Sequence, residues 1–203
     1  MERLASRLEG CRVAVDVQHL HRPHKPRDQG SVFTFPDRTT ITEGHAATLY
    51  AGSLARFVRS RGAQVLENDP VRGLFVGYYS ARQRAAAAWK ADLYLACHVN
   101  AGRGSYAAIE YDELNGHGML AQRIGSELVS AFPEILSHRA VPLHRGDRGL
   151  VCVEGFKGPA LLLEPFFGDN PKQQRYLSAI ELTRVGEAIG RGIADWWQFS
   201  RPR

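Results

Sequence analysis

Cysteine is scarce: the 203 residues hold three, at positions 11, 97 and 152, an odd number with no close spacing, so a disulfide framework is not expected. Cys97 and Cys152 lie inside short apolar runs and read as buried free thiols, which fits folding in a reducing compartment. Long hydrophobic stretches are also missing. Nothing approaches the roughly 18 consecutive apolar residues of a membrane span, so no membrane insertion is expected. The start of the chain, MERLASRLEGCRVAV, is charged throughout its first dozen residues and has neither an apolar core nor a small-residue cleavage site. A secretory signal is therefore not expected, and the chain reads as synthesised in the cytoplasm. Repeats, low-complexity tracts and linkers are absent as well, which leaves one domain spanning 1–203.

What is present is ordinary for a folded domain. A hydrophobic fraction of 44% with 23% charged residues, over this length, suffices for a core without disulfides. The formal charge of +5 favours polyanions, whether nucleic acid, anionic lipid or an anionic cell-wall polymer. Lys and Arg are scattered, however, with no basic run, so the charge reads as general attraction and no nucleic-acid partner is expected.

Hydrophobic periodicity divides the chain into alternating elements. Residues 12–17 (RVAVDV) form a β-rich run, followed over 20–42 by a proline-rich polar stretch that reads as a long irregular loop of functional kind. Ala47, Tyr50, Ala51, Leu54, Phe57 and Val58 recur at helical spacing between an N-cap at Thr42 and a stop at Gly62. A strand over 63–66 follows, then an alanine-rich helix over 80–91 with Ser80 as its cap. Strands are expected over 92–98, 106–111, 150–153 and 160–163, with an amphipathic helix over 119–132 stopped by Pro133. Residues 172–198 read as a long terminal helix with Leu177, Ile180, Leu182, Val185, Ile189 and Ile193 on its inner face. This alternation predicts an α/β domain: a central twisted, mostly parallel sheet with helices on both faces, phosphorylase/hydrolase-like in outline.

In such sheets functional groups collect beyond the carboxyl ends of the strands. His19 follows the first strand, His98 ends another, Glu164 ends PALLLE, and Glu43 opens a helix. Two imidazoles and one carboxylate, with water in the fourth position, make a catalytic zinc set, and a second carboxylate can shuttle the water's proton. Singly, each residue has a plainer reading. A histidine at a strand end can be a hydrogen-bonded structural group, and a glutamate in a first helical turn can serve the helix dipole. Glu164, just before a proline, can be a turn residue. Gly102-Arg103-Gly104 is not followed by a helical pattern and does not read as a phosphate loop.

Four motifs taken together say more. VAVDVQHLH carries Asp16 and His19, and ITEGHAATLYA carries Glu43. RQRAAAAWKADLYLACHVNA carries Arg82, Asp92, His98, Asn100 and Ala101. PALLLEPFFGDN carries Glu164, Phe167 and Asn170. In this order the chain, from about Arg12 to Trp197, resembles the zinc-dependent N-acetylmuramoyl-L-alanine amidases, cell-wall enzymes also found as phage endolysins. There are departures. Where that family has Gly-His-Gly-Gly this chain has Gln18-His19-Leu20-His21, losing three glycines of backbone freedom. Ala87 stands for an expected Asn, and Ala108 for an expected Gly.

The resemblance implies Zn2+ held by His19, Glu43 and His98, with Glu164 as general base. It implies cleavage of the amide between N-acetylmuramic acid and L-alanine in peptidoglycan or muropeptides, by a monomer released to the cell wall. His21 is a further candidate near the metal, and Arg82, Asn100, Arg148 and Asn170 are candidates for substrate contact. His24, His45, His117, His138 and His144 lack a supporting pattern. Two alternatives stay open. One is a zinc carboxypeptidase or amidohydrolase acting on a small peptide or acyl-amino acid, with Arg22, Arg82 or Arg148 receiving a carboxylate. The other is a peptidoglycan-binding module without turnover, against which the presence of all four key residues weighs.

Overall fold

The computed structural model describes residues 8–20, 25, 27–69, 71 and 74–200. Strands β1 (Arg12–Val17), β4 (Gln64–Glu67), β5 (Leu93–Cys97), β6 (Tyr106–Asp112), β7 (Ser137–Leu143) and β8 (Ala160–Glu164) form one sheet in the order β4-β1-β5-β8-β6-β7. Every pairing in it is parallel except β6 with β8. Strands β2 (Val32–Thr34) and β3 (Thr40–Thr42) form a separate antiparallel hairpin. The helices are α1 (Glu43–Ser60), α2 (Tyr79–Ala88), α3 (Gly118–Ala131) and α4 (Ala179–Ser200).

β1, β5 and β8 are apolar on both faces because both faces are covered. Val13, Val15, Val17, Leu93, Leu95, Leu161 and Leu163 pack towards α1, α3 and α4. Their alternating neighbours Ala14, Tyr94, Ala96, Ala160 and Leu162 pack with Ala86 of α2 and with Cys152, Val153 and Phe156. The expected α/β architecture is thus present, as one domain with a core on each side of the sheet.

The helices follow local signals. Thr42 Oγ1 accepts from His45 N at 3.3 Å and starts α1, and Gly62, at φ +96°, follows its end. The α4 helix crosses α1 and α3 at glycines: a Cβ on Gly186 would lie 2.3 Å from Tyr50 O, and one on Gly192 would lie 2.6 Å from Ile124 Cα. Backbone contact that close admits no side chain. Among the described residues no helix is long and apolar enough to cross a membrane.

The structure differs from the sequence reading in five places. The stretch read as an irregular loop contains the β2–β3 hairpin, whose turn is closed by Asp37 Oδ1 accepting from Thr39 N at 2.9 Å and whose Phe33 is buried in the core. β7 was not expected, because an edge strand half open to solvent carries polar residues and breaks the apolar pattern. Residues 150–152 form a 3-10 turn rather than a strand, wound by Cys152 N donating to Gly149 O at 3.0 Å. A four-residue apolar run shows burial but not conformation. The terminal helix starts at Ala179, not 172: Ser178 Oγ accepts from Glu181 N at 3.3 Å, the Ser-x-x-Glu start signal. Ile180 is accordingly exposed rather than on the inner face. Finally, α2 begins at Tyr79 with no side-chain cap, so Ser80 is not its cap.

Candidate metal centre

Three parallel strands bring their carboxyl ends to one rim of the sheet. Cys97 pairs with Val17 on one side and Leu163 on the other, so the residues at or just beyond the ends of β1, β5 and β8 become neighbours. Those residues are His19, His98 and Glu164. Two hydrogen bonds fix the main chain at His98: its N–H donates to Leu163 O at 3.0 Å, and its carbonyl accepts from the buried Tyr50 hydroxyl at 2.8 Å. Glu43, the first residue of α1, reaches in from above.

The donor atoms of His19, Glu43 and His98 all lie within 4.8 Å of one another. Glu43 Oε1 is 2.9 Å from His98 Nδ1 and 3.4 Å from His19 Nε2, and the two imidazoles stand edge to face at 87°. Glu43 Oε2 accepts from Ser31 N at 2.9 Å. Each imidazole turns its other nitrogen to an oxygen: His19 Nδ1 lies 3.2 Å from Asp28 Oδ1, and His98 Nε2 lies 3.1 Å from Gln18 Oε1. Nitrogen and oxygen donors facing inward, with oxygen acceptors behind the rings, match how proteins hold zinc.

Electrostatics fit the same picture. Burial would raise the Glu43 carboxyl, but hydrogen bonds and charge from His19 and His98 hold it well below the usual carboxylate range. Burial pulls His19 down, but Glu43 and Asp28 together leave it raised. Glu164 behaves oppositely. Burial, reinforced by the negative charges of Glu110 and Glu43, pushes its carboxyl up to about 8. Asn100 Nδ2 donates to Glu164 Oε2 and orients it.

A cleft of about 590 Å³ opens over these groups, lined among others by Tyr79, Asn100, Glu110, Arg148 and Glu164. Of the residues expected to contact substrate, Asn100 and Arg148 are there. Arg82 is not: it is fully buried, 2.6 Å from Asp16, and donates to the carbonyls of Val17, Leu20 and Gly77. Asn170 is also buried away from the cleft lining, donating to Gly104 O at 2.6 Å and so holding the turn before β6. His45, His117, His138 and His144 do not line the cleft. His21, Arg22 and His24 fall outside the described residues. Gly102-Arg103-Gly104 precedes a strand, and the first two donate their N–H groups to Asp169.

The sequence reading missed Gln18, Asp28, Gly30, Ser31, Tyr79 and Glu110. Strand alternation put Glu110 on the face of Leu162, its cross-strand partner, and that signal was available. Tyr79 opens α2, and the others reach the site through loop folding that leaves no periodic trace.

Comparison with known proteins bears on the site once it is built. The sequence model of the Amidase_3 family, described as N-acetylmuramoyl-L-alanine amidase, matches residues 20–195. Its match covers Glu43, His98 and Glu164 and begins one residue after His19. No curated protein matches the chain. Among solved structures, Cwp6 from Clostridium difficile superposes with a TM-score of 0.72 at 21% identity, over 92% of this chain and 29% of that one. This chain thus spans less than a third of the Cwp6 chain. AmiC2, an N-acetylmuramoyl-L-alanine amidase of Nostoc punctiforme, gives 0.71 at 16% identity over 93% and 97% of the two chains. The catalytic domain of the CD27L endolysin, which targets Clostridia difficile, gives 0.61 at 18% identity over 91% and 97%. At such identities these structures establish a shared fold.

Proposed function

The chain belongs to the N-acetylmuramoyl-L-alanine amidase family, and from that premise we propose that it is a zinc-dependent amidase cutting the bond between N-acetylmuramic acid and L-alanine in peptidoglycan. The observation that carries the proposal is the gathering of His19, Glu43 and His98 within 4.8 Å at the floor of a cleft that also holds Glu164.

His19 Nε2, Glu43 Oε1 and His98 Nδ1 are the atoms that would hold the metal. Bound there, zinc supplies Lewis acidity to the scissile carbonyl and to the attacking water. Glu164 takes a proton from that water as its oxygen attacks the carbonyl carbon. It returns the proton to the alanine nitrogen as the C–N bond breaks, leaving a lactyl carboxylate and a free amine. A carboxyl raised towards working pH suits both halves of this task. Asn100 keeps Glu164 aimed, and Arg148 on the cleft wall offers a cation to a carboxylate of the stem peptide. The net charge of +5 favours approach to an anionic wall, an effect that weakens as salt rises.

Arg148 also supports the small-substrate reading, because it is the sole arginine among the described residues lining the cleft. Digestion of purified peptidoglycan by wild type and Glu164→Ala, with metal content determined for each, decides between the two. The amidase reading expects new L-alanine N-termini from wild type alone and zinc in both proteins. Zinc in both and cleavage by neither removes the peptidoglycan amidase reading and leaves a small-substrate enzyme or a peptidoglycan-binding module without turnover. Absence of zinc binding removes the metal centre.

A further inference from the structure

Behind His98 runs a chain of buried polar groups that the proposed reaction does not use. Gln18, Tyr94, Asp16 and Arg82 are all fully buried, out of reach of bulk solvent. Gln18 Nε2 lies 3.1 Å from Tyr94 Oη and 3.3 Å from Cys152 O, while its Oε1 faces His98 Nε2 at 3.1 Å. Tyr94 donates to Asp16 Oδ2 at 2.6 Å, and Asp16 Oδ1 receives Arg82 Nη1 at 2.6 Å and Asn68 Nδ2 at 3.2 Å.

The direction of this chain is fixed by chemistry. A backbone carbonyl only accepts, so the amide end of Gln18 nearest Cys152 O must be the NH2 end. A flipped amide would set two oxygens against each other. A carboxylate paired with a guanidinium also only accepts, so Tyr94 gives its proton to Asp16 and takes one from Gln18. Gln18 Oε1 is left as an acceptor facing His98 Nε2, which therefore carries the hydrogen. On the far side of the ring, Glu43 Oε1 at 2.9 Å draws a proton towards Nδ1. Gln18 is the opposing pull.

We propose that Gln18 is a positioning residue that holds His98 in its Nε2–H form and leaves Nδ1 as the metal donor. The proposal rests on the metal-centre reading above. It concerns this chain in particular, since the family pattern it resembles has glycine at this position, which offers no acceptor.

The test is zinc affinity, measured by competition with a chelating dye for the full chain, in wild type, Gln18→Leu and Gln18→Glu. Loss of an acceptor behind a metal-bound histidine typically weakens binding about 10- to 100-fold. Gln18→Leu should show that loss. Gln18→Glu keeps an oxygen towards Nε2 and should recover most of the affinity. It sets its other oxygen against Cys152 O and so should melt lower when metal-free, whereas a merely structural role would lower affinity in both. Proton NMR of the zinc-loaded wild type should show a slowly exchanging His98 Nε2–H that disappears in Gln18→Leu, whereas any signal from His19 Nδ1–H towards Asp28 stays. Equal affinities for wild type and Gln18→Leu overturn the assignment. If Gln18→Leu does not fold, absence of the protected N–H in wild type overturns it instead. A wild type that takes up no zinc overturns the metal centre itself, a result distinct from either.

Discussion

Gly30 stands so close to Glu43 that a Cβ placed on it would lie 2.4 Å from Glu43 Oε2. Its φ of +74° is itself unsuited to a side chain. The next residue supplies the N–H that Glu43 Oε2 accepts. Gly30→Ala should therefore destabilise the protein by about 1–3 kcal/mol through backbone strain and weaken zinc binding by displacing the carboxylate. Calorimetric metal titration alongside thermal melting reads both. Wild-type affinity in the variant would show that Glu43 is not held from this side.

Glu164 ties stability to pH. Its carboxyl is raised in the folded state to about 8, so between its ordinary value of 4.5 and that point the folded protein keeps a proton that the unfolded chain has released. Stability contributed by this group is then complete below pH 4.5 and falls as pH rises towards 8. Glu110 is raised in the same direction by burial, reinforced by the charge of Asp147, and remains in both proteins when only Glu164 is changed. Metal-free Glu164→Gln should melt progressively higher than metal-free wild type as pH goes from 5 to 8. A constant difference across that range contradicts the burial of the carboxylate.

Asp16 and Arg82 form a fully buried ion pair at 2.6 Å. Removing one partner leaves an uncompensated charge, which typically costs about 3–5 kcal/mol. Arg82→Met should lose that much in urea unfolding of the metal-free protein. A variant of near-normal stability with an altered KM would instead return Arg82 to substrate contact.

Gly186→Ala probes the helix crossing. The added methyl meets Tyr50 O at 2.3 Å and Leu54 N at 2.6 Å, both backbone atoms that do not yield without moving α1. Overpacking of this kind costs about 1–3 kcal/mol. Urea unfolding should show the loss, and zinc stoichiometry should be unchanged in the protein that remains folded. A neutral substitution would mean that α4 slides on α1.

Much of the fold was legible because β1, β5 and β8 are buried on both faces and so spell out apolar runs. β7 was not legible, since polar Ser137, His138 and Arg139 open it, the first and third facing solvent at the sheet edge, nor was the pairing of β8 between β5 and β6, which no local pattern encodes. At the site, His19, Glu43 and His98 stand out through the order of their motifs. Arg82 was misjudged because an arginine beside a functional motif looks the same in sequence whether it meets substrate or a buried aspartate. Gln18, Asp28 and Gly30 act through contacts made only when loops close over the rim.

β8 lies in the middle of the sheet although it is the last of its strands in the chain. As the polypeptide leaves the ribosome, β5 and β6 are both exposed long before the strand that separates them has been made. Each then presents an unpaired edge, the kind of surface that invites pairing with the wrong chain. His98 waits at the end of one such edge until residues 160–164 arrive with Glu164. A partly synthesised chain accordingly has no assembled site. Until residues 160–164 slot between β5 and β6, a nascent chain cannot bring Glu164 to the rim that carries His19, Glu43 and His98.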